Sequence, residues 1–175
     1  MFIPSQVRFG GLVLRQVTGF PDDPVVSLSV VSGAATMTLR VRVPGWVAGP
    51  PVVRLNGMPV PGPVSLLMPG DGHWITLWRQ WQAGDVLEVT LPMRLAFEPT
   101  PDYPGVQAVT YGPVVLSGVY PADPGALTPV LDVASVQRTA AAPMTFAAVS
   151  GGKPVRLIPV SRAAHEYYSV YWQTA

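Results

Sequence analysis

The sequence predicts an all-β fold, a sandwich or a barrel, on three observations. Apolar and polar residues alternate with a period of two in several segments. Turn-forming residues recur roughly every eight to twelve positions, and helical periodicity is almost absent. The 21 prolines and 17 glycines among 175 residues suit short strands joined by tight turns.

The first alternating run sets Val26, Leu28 and Val30 against Val25, Ser27 and Ser29. A second sets Met37, Leu39, Val41 and Val43 against Thr36, Thr38, Arg40 and Arg42. Both read as half-buried strands, and Ser32-Gly33-Ala34-Ala35 between them reads as a hairpin turn. Val52–Leu55 then meets Asn56-Gly57, a strong hairpin signal because both central residues of a type I′ turn need positive φ. Met58-Pro59-Val60 should return antiparallel. Asp71-Gly72 opens a strand from His73 to Arg79, Gly84-Asp85 separates it from Val86–Leu91, and Pro92 ends that strand because it has no ladder donor.

Glu98–Gly105 holds three prolines and a glycine in eight residues, the clearest composition break in the chain. The domain boundary is expected there, giving a first domain 1–98 and a second 99–175 that need not be complete. Val106–Val119 reads as one or two strands interrupted at Gly112-Pro113, and Pro121–Gly125 as a loop. Thr128–Pro143 is compatible with a strand pair or a short helix. Lys153–Val160 and Tyr167–Trp172 read as the last two strands.

Composition narrows the function classes. A hydrophobic fraction of 49% with 12% charged residues describes a chain that folds. Eleven basic residues against ten acidic ones leave a net charge of +1, without the basic run that nucleic-acid binding needs. No apolar run approaches the roughly 20 residues of a membrane helix, and the first residues lack the pattern of a signal peptide. Compartment stays open, since the absence of cysteine excludes disulfides without fixing location.

One stretch ties these pieces to a known family. Leu39-Arg40-Val41-Arg42-Val43-Pro44-Gly45-Trp46 leads to Leu55-Asn56-Gly57 and then to Trp81-Gln82-Ala83-Gly84-Asp85, before a strand ending Leu91-Pro92-Met93. That order resembles the region following the catalytic domain of β-L-arabinofuranosidase-type enzymes, glycoside hydrolase family 127. Upstream, Phe2-Ile3-Pro4-Ser5 and Leu14–Pro21 resemble the family's Tyr-Ile-Pro-Ser and Gln-x-Thr-x-Phe-Pro segments. Downstream, Tyr111–Leu116 is similar to its Gly-Pro-Leu-Val strand, and Tyr168-Ser169-Val170-Tyr171-Trp172 to a tail of many relatives.

The resemblance implies two consecutive antiparallel β-sandwich domains. It also implies an N-terminal helical barrel with a cysteine nucleophile, cysteine and glutamate ligands for zinc, and a glutamate acid/base. This chain has no cysteine, so no thiolate nucleophile and no sulfur-ligated zinc site can be built from it, and no catalytic residue of the family carries over. The expectation is a non-catalytic accessory module that braces a catalytic barrel missing from this chain and forms homo-oligomer contacts. Its beginning at a mid-protein motif reads as a truncation, a split gene or an engineered boundary. No cofactor and no metal are expected.

The remaining chemistry has simpler readings. A glycosidase needs facing carboxyl groups about 5 Å apart for retention or roughly 6.5–9.5 Å for inversion. Asp85 with Glu88, or Glu98 with Asp102, supply such pairs on paper. Asp85 follows Gly84 in a turn, where an Asx side chain normally bonds local backbone. His73 and His165 are the two histidines and lie in no ligand-spaced motif. His73 is expected at the surface, and His165 to lock the last strand or dock the domain, with a substrate role as its minor reading. Leu116-Ser117-Gly118 lacks the pattern of a nucleophile elbow, and Gly33, Gly45, Gly49 and Gly62 punctuate turns.

The best remaining candidates for carbohydrate or interface contacts are the aromatic residues Trp74, Trp78, Tyr168, Tyr171 and Trp172, together with His165 just upstream of the last three. Trp74 and Trp78 lie four apart, so on one strand both face the same way with Thr76 between them. That spacing suits a sugar platform, although large aromatics more often fill a core, and core packing is the favoured reading. Tyr168, Val170 and Trp172 are expected on one face of a last strand, opposite Tyr167, Ser169 and Tyr171. The alternatives to an accessory module are therefore a carbohydrate-binding module with a glycan ligand, or a subunit of a separately encoded barrel.

Overall fold

The computed structural model describes residues 3–60, 73–125 and 128–174. The expected Asp71-Gly72 turn, Gly62, and the start of the chain at Met1 and Phe2 lie outside the described residues. The fold is all-β, with mainly antiparallel strands, and divides into two compact units, Met1–Met93 and Arg94–Ala175.

The first unit contains β1 (Ser5–Phe9), β2 (Leu12–Thr18), β3 (Val25–Ser32), β4 (Ala34–Val43), β5 (Val52–Leu55), β6 (Met58–Pro59), β7 (His73–Gln82) and β8 (Val86–Thr90). Six of them form one sheet in the order β1-β2-β3-β8-β5-β6, and β4 pairs with β7 in a separate two-stranded sheet. Leu12, Val30, Leu39, Val41, Val43, Val53, Ile75, Trp81, Leu87 and Val89 from the two sheets meet in one core. Each such fully buried apolar side chain contributes about 1.5–3 kcal/mol relative to exposure.

The expected hairpin between the first two alternating runs is not formed. β3 pairs with β2 and β8, while β4 pairs with β7 along ten residues, from Ala34 opposite Gln82 to Val43 opposite His73. The two strands carry their apolar faces toward a shared core, so they meet across the sandwich instead of side by side. Gly33 makes this change of sheet in one residue. It has φ +88°, and a Cβ there would run into the Gly11 carbonyl oxygen. Asn56-Gly57 does turn β5 into β6, with φ values of 52° and 79°.

The second unit contains β9 (Leu95–Pro99), β10 (Val106–Tyr111), β11 (Val114–Tyr120), β12 (Val130–Arg138), β13 (Phe146–Ser150) and β14 (Lys153–Pro159). A 3-10 turn at Val160–Arg162 precedes β15 (Tyr167–Ser169) and β16 (Tyr171–Thr174). Thr128–Pro143 thus holds a strand. The sheet order is β15-β11-β14-β13-β12-β16-β10-β9, and β11 also pairs with β10, so six strands close into a ring. One pairing in that ring, β12 with β16, is parallel. Val109, Leu116, Leu131, Phe146, Ala148, Val155, Leu157 and Trp172 fill it.

Leu95–Glu98, read from the sequence as the end of the first domain, forms most of β9 and pairs with β10 in the second unit. Leu95 and Phe97 pack on the second core. The proline-rich stretch after them is a hairpin loop, tied by Thr100 N–H to the Val106 carbonyl at 2.9 Å and Val106 N–H to the Tyr103 carbonyl at 2.8 Å. Prolines suit such a loop for the same reason they suit a linker: neither needs ladder donors.

Candidate functional site

The β4–β7 register decides which side chains share a surface. On β7, Ile75 and Trp81 are buried in the core. The alternate residues Trp74, Thr76, Trp78 and Gln80 face outward, opposite Arg42, Arg40, Thr38 and Thr36 of β4 in that order. Trp78 is 74% exposed and Trp74 half-buried. The favoured core reading of this pair is overturned, because the core position on this strand belongs to Trp81, whose Nε1 donates to the Met37 carbonyl at 3.2 Å. Arg40 and Arg42 are exposed and form no ion pair among the described residues. The sequence named both arginines as the polar side of a strand. Their place beside the tryptophans became visible only with the true partner of β4.

The aromatic tail divides differently from expectation. The strand predicted over Tyr167–Trp172 breaks at Val170, where the Ser169 hydroxyl donates to the Tyr171 carbonyl at 2.9 Å. β15 then pairs with β11, and β16 enters between β10 and β12. Tyr167, Tyr168 and Tyr171 are exposed, whereas Trp172 is fully buried and offers nothing to a ligand or a partner. Its indole covers Gly118, where any Cβ would overlap the ring. His165 is exposed, and its backbone N–H donates to the Glu166 carboxylate at 3.2 Å. Backbone hydrogen bonds, first that of His165, hold the Glu166 carboxyl below its usual range, with Arg156 3.9 Å away adding to the effect.

Asp85 is buried and fully engaged. Its carboxylate accepts from Asn56 Nδ2 at 2.9 Å and from the Gln82 N–H at 3.0 Å, and lies 3.4 Å from the Arg79 guanidinium. The Asn56 hydrogen bond is the main cause of a lowered pKa, helped by the Gln82 N–H and Arg79 and opposed by burial. A carboxylate so occupied holds a turn in place and is not poised for proton transfer.

The second unit has a concave pocket of about 480 Å³ lined by Tyr120, Asp123, Val130, Ser150, Lys153 and Pro154, among others. Burial raises the pKa of the Tyr120 phenol, and Ser150 beside it partly offsets that rise. Among the described residues no three His, Asp or Glu side chains converge on a common point. With no cysteine in the chain, its residues do not fit a sulfur-ligated zinc. No described helix is long and apolar enough to cross a membrane.

Comparison with known proteins agrees with this architecture. Three solved structures are each similar over 98% of this chain. One is a GH127 β-arabinofuranosidase, with 23% identity and a TM-score of 0.68, of which 33% is covered. Another is a glycoside hydrolase, with 17% identity and a TM-score of 0.72, of which 34% is covered. A third is a GH127 β-L-arabinofuranosidase from Geobacillus stearothermophilus T6, with 22% identity, a TM-score of 0.65 and 32% covered. At these identities the likeness establishes the fold, and the chain spans about a third of the length of these structures. No curated protein matches it. Residues 1–93, more than half of the chain and the whole of its first unit, match the family described as β-L-arabinofuranosidase, GH127 middle domain, and the chain therefore belongs to that glycoside hydrolase family.

Proposed function

We propose that this chain is the non-catalytic accessory module of a β-L-arabinofuranosidase-like glycoside hydrolase, that it braces a catalytic helical barrel, and that it contributes oligomer contacts. The observation that carries the reading is the coverage: residues 1–93 match the GH127 middle domain, and 98% of this chain aligns with about a third of the length of each of two GH127 structures. The chain's composition supports it, since the cysteines of the family's catalytic scheme have no counterpart here.

A surface suited to bracing is present on β1. Val7 lies opposite Leu14 and Phe9 opposite Leu12, so both share the side of the sheet on which the core is built. They are nevertheless 55% and 65% exposed, because the core does not extend beneath β1. Apolar side chains left open on a core-facing side suit a second protein surface. The same contact serves a fused barrel or a separately encoded one.

The test mixes the chain with a separately expressed GH127 catalytic barrel and follows co-elution by size-exclusion chromatography with light scattering. Expected are a complex that is lost on Phe9→Asp, and no turnover of an aryl β-L-arabinofuranoside by the chain alone. A chain that hydrolyses the glycoside, or that never binds the barrel, overturns the proposal. Carbohydrate binding is the second reading, and the outward-facing Trp78 is the observation that favours it.

A further inference from the structure

The outer face of the β4–β7 sheet combines two features that each call for a ligand. Trp74 and Trp78 are separated by four residues of one strand, about 13 Å at the usual strand rise. Two flat apolar rings at that distance match a chain of several sugar residues better than a single sugar, since each indole can stack on the C–H face of a different ring.

Charge supplies the second feature. Arg40 and Arg42 are two apart on β4 and so project from the same side, about 7 Å from each other along the strand. Arg42 lies opposite Trp74, and Arg40 lies opposite Thr76, diagonal to both tryptophans. Among the described residues, this outward face of β4 and β7 carries no acidic side chain. Two like charges held close, with no ion-pair partner among the described residues, repel each other, and an anion between them relieves that repulsion. A guanidinium is also the side chain best shaped to grip a planar carboxylate through two parallel hydrogen bonds. Thr38 and Thr76 add hydroxyl partners for sugar hydroxyls on the same surface.

We propose that this face binds an acidic oligosaccharide, a chain of uronate sugars, stacking rings on Trp78 and Trp74 and pairing carboxylates with Arg40 and Arg42. This goes beyond the accessory role and stands apart from it, because bracing is assigned to β1. The failure of either leaves the other intact. The site is shallow and exposed, so its affinity is modest and falls as salt screens the arginines.

Isothermal titration and tryptophan fluorescence of the full chain test it with three probes: tetragalacturonic acid, its full methyl ester, and tetraglutamate. The acid is expected to bind at least tenfold more tightly than the ester, and tetraglutamate, which carries charge without sugar rings, to give no saturable signal. Trp78→Ala should abolish binding of the acid. Arg40→Gln with Arg42→Gln should bring the acid down to the level of the ester. Circular dichroism checks that each variant is folded. Equal binding of acid and ester, equal binding of tetraglutamate, no binding at all, or binding indifferent to Trp78→Ala each overturns the proposal.

Discussion

Asn56 and Asp85, 29 residues apart in sequence, join two turns of the first unit through a 2.9 Å hydrogen bond from Nδ2 to Oδ1. The link is reciprocal in effect. Asn56 Oδ1 accepts from the Val86 N–H at 2.8 Å, and the Asn56 N–H donates to the Val86 carbonyl at 2.8 Å. The Asn-Gly hairpin and the Gly-Asp turn therefore hold each other in register.

Replacing Asp85 with alanine leaves the Gln82 N–H, the Asn56 amide and the Arg79 guanidinium without their shared acceptor. A buried donor left unsatisfied costs about 1–3 kcal/mol. Asp85→Ala should accordingly destabilise the first unit by about 2–3 kcal/mol, measured by urea denaturation. An unchanged denaturation midpoint would contradict the role given to this carboxylate.

The same residue sets a pH dependence. The folded pKa of Asp85 is depressed, chiefly by Asn56, so its stabilising effect is complete above the unfolded value of about 3.9 and is lost as pH falls through the folded pKa. Stability of the wild-type protein should decline on acidification below about pH 4, and the decline should be shallower in Asp85→Asn. Thermal melts across that range read the difference, and parallel curves for the two proteins would remove Asp85 as its source.

In the second unit, the missing side chain of Gly118 lets the Trp172 indole lie against the β11 backbone. Gly118→Ala forces the ring or the strand aside, and overpacking of this kind costs about 1–3 kcal/mol. Trp172→Ala, which empties the same site, should cost about 3–5 kcal/mol. Near-UV circular dichroism with denaturant titration measures both, and a neutral Gly118→Ala would show that the ring has room to move.

Two tryptophans three positions apart on β7 should respond oppositely to truncation. Trp81→Ala removes a buried side chain and should cost about 3–5 kcal/mol. Trp78→Ala removes an exposed one and should change stability by no more than about 0.5 kcal/mol. Similar losses from the two would mean that Trp78 is covered in solution.

What the sequence revealed follows from the range of each interaction. Alternation and turn chemistry are local, so β4, β5, β7 and β8 and the Asn56-Gly57 hairpin were legible. Strand partners are not local. β4 carries the same pattern whether it pairs with β3 or faces it across a core, and that ambiguity hid the surface shared by Arg40, Arg42, Trp74 and Trp78. In the tail, period-two counting failed at Val170, because a bend held by the Ser169 hydroxyl turned Trp172 inward while Tyr171 stayed exposed. Proline content marked a loop at Glu98–Gly105 correctly, but a loop inside a hairpin has the same composition as a loop between domains.

The ring of the second unit is completed by β16, which sits between β10 and β12 and brings Trp172 into the core. On a growing polypeptide, the first unit has all its described strands by Thr90. The second must wait as an open sheet, its apolar interior uncovered, until Tyr171–Thr174 has left the ribosome. Folding during synthesis is therefore ordered by topology, and until β16 emerges the second unit keeps an apolar face open, the kind of surface that promotes aggregation.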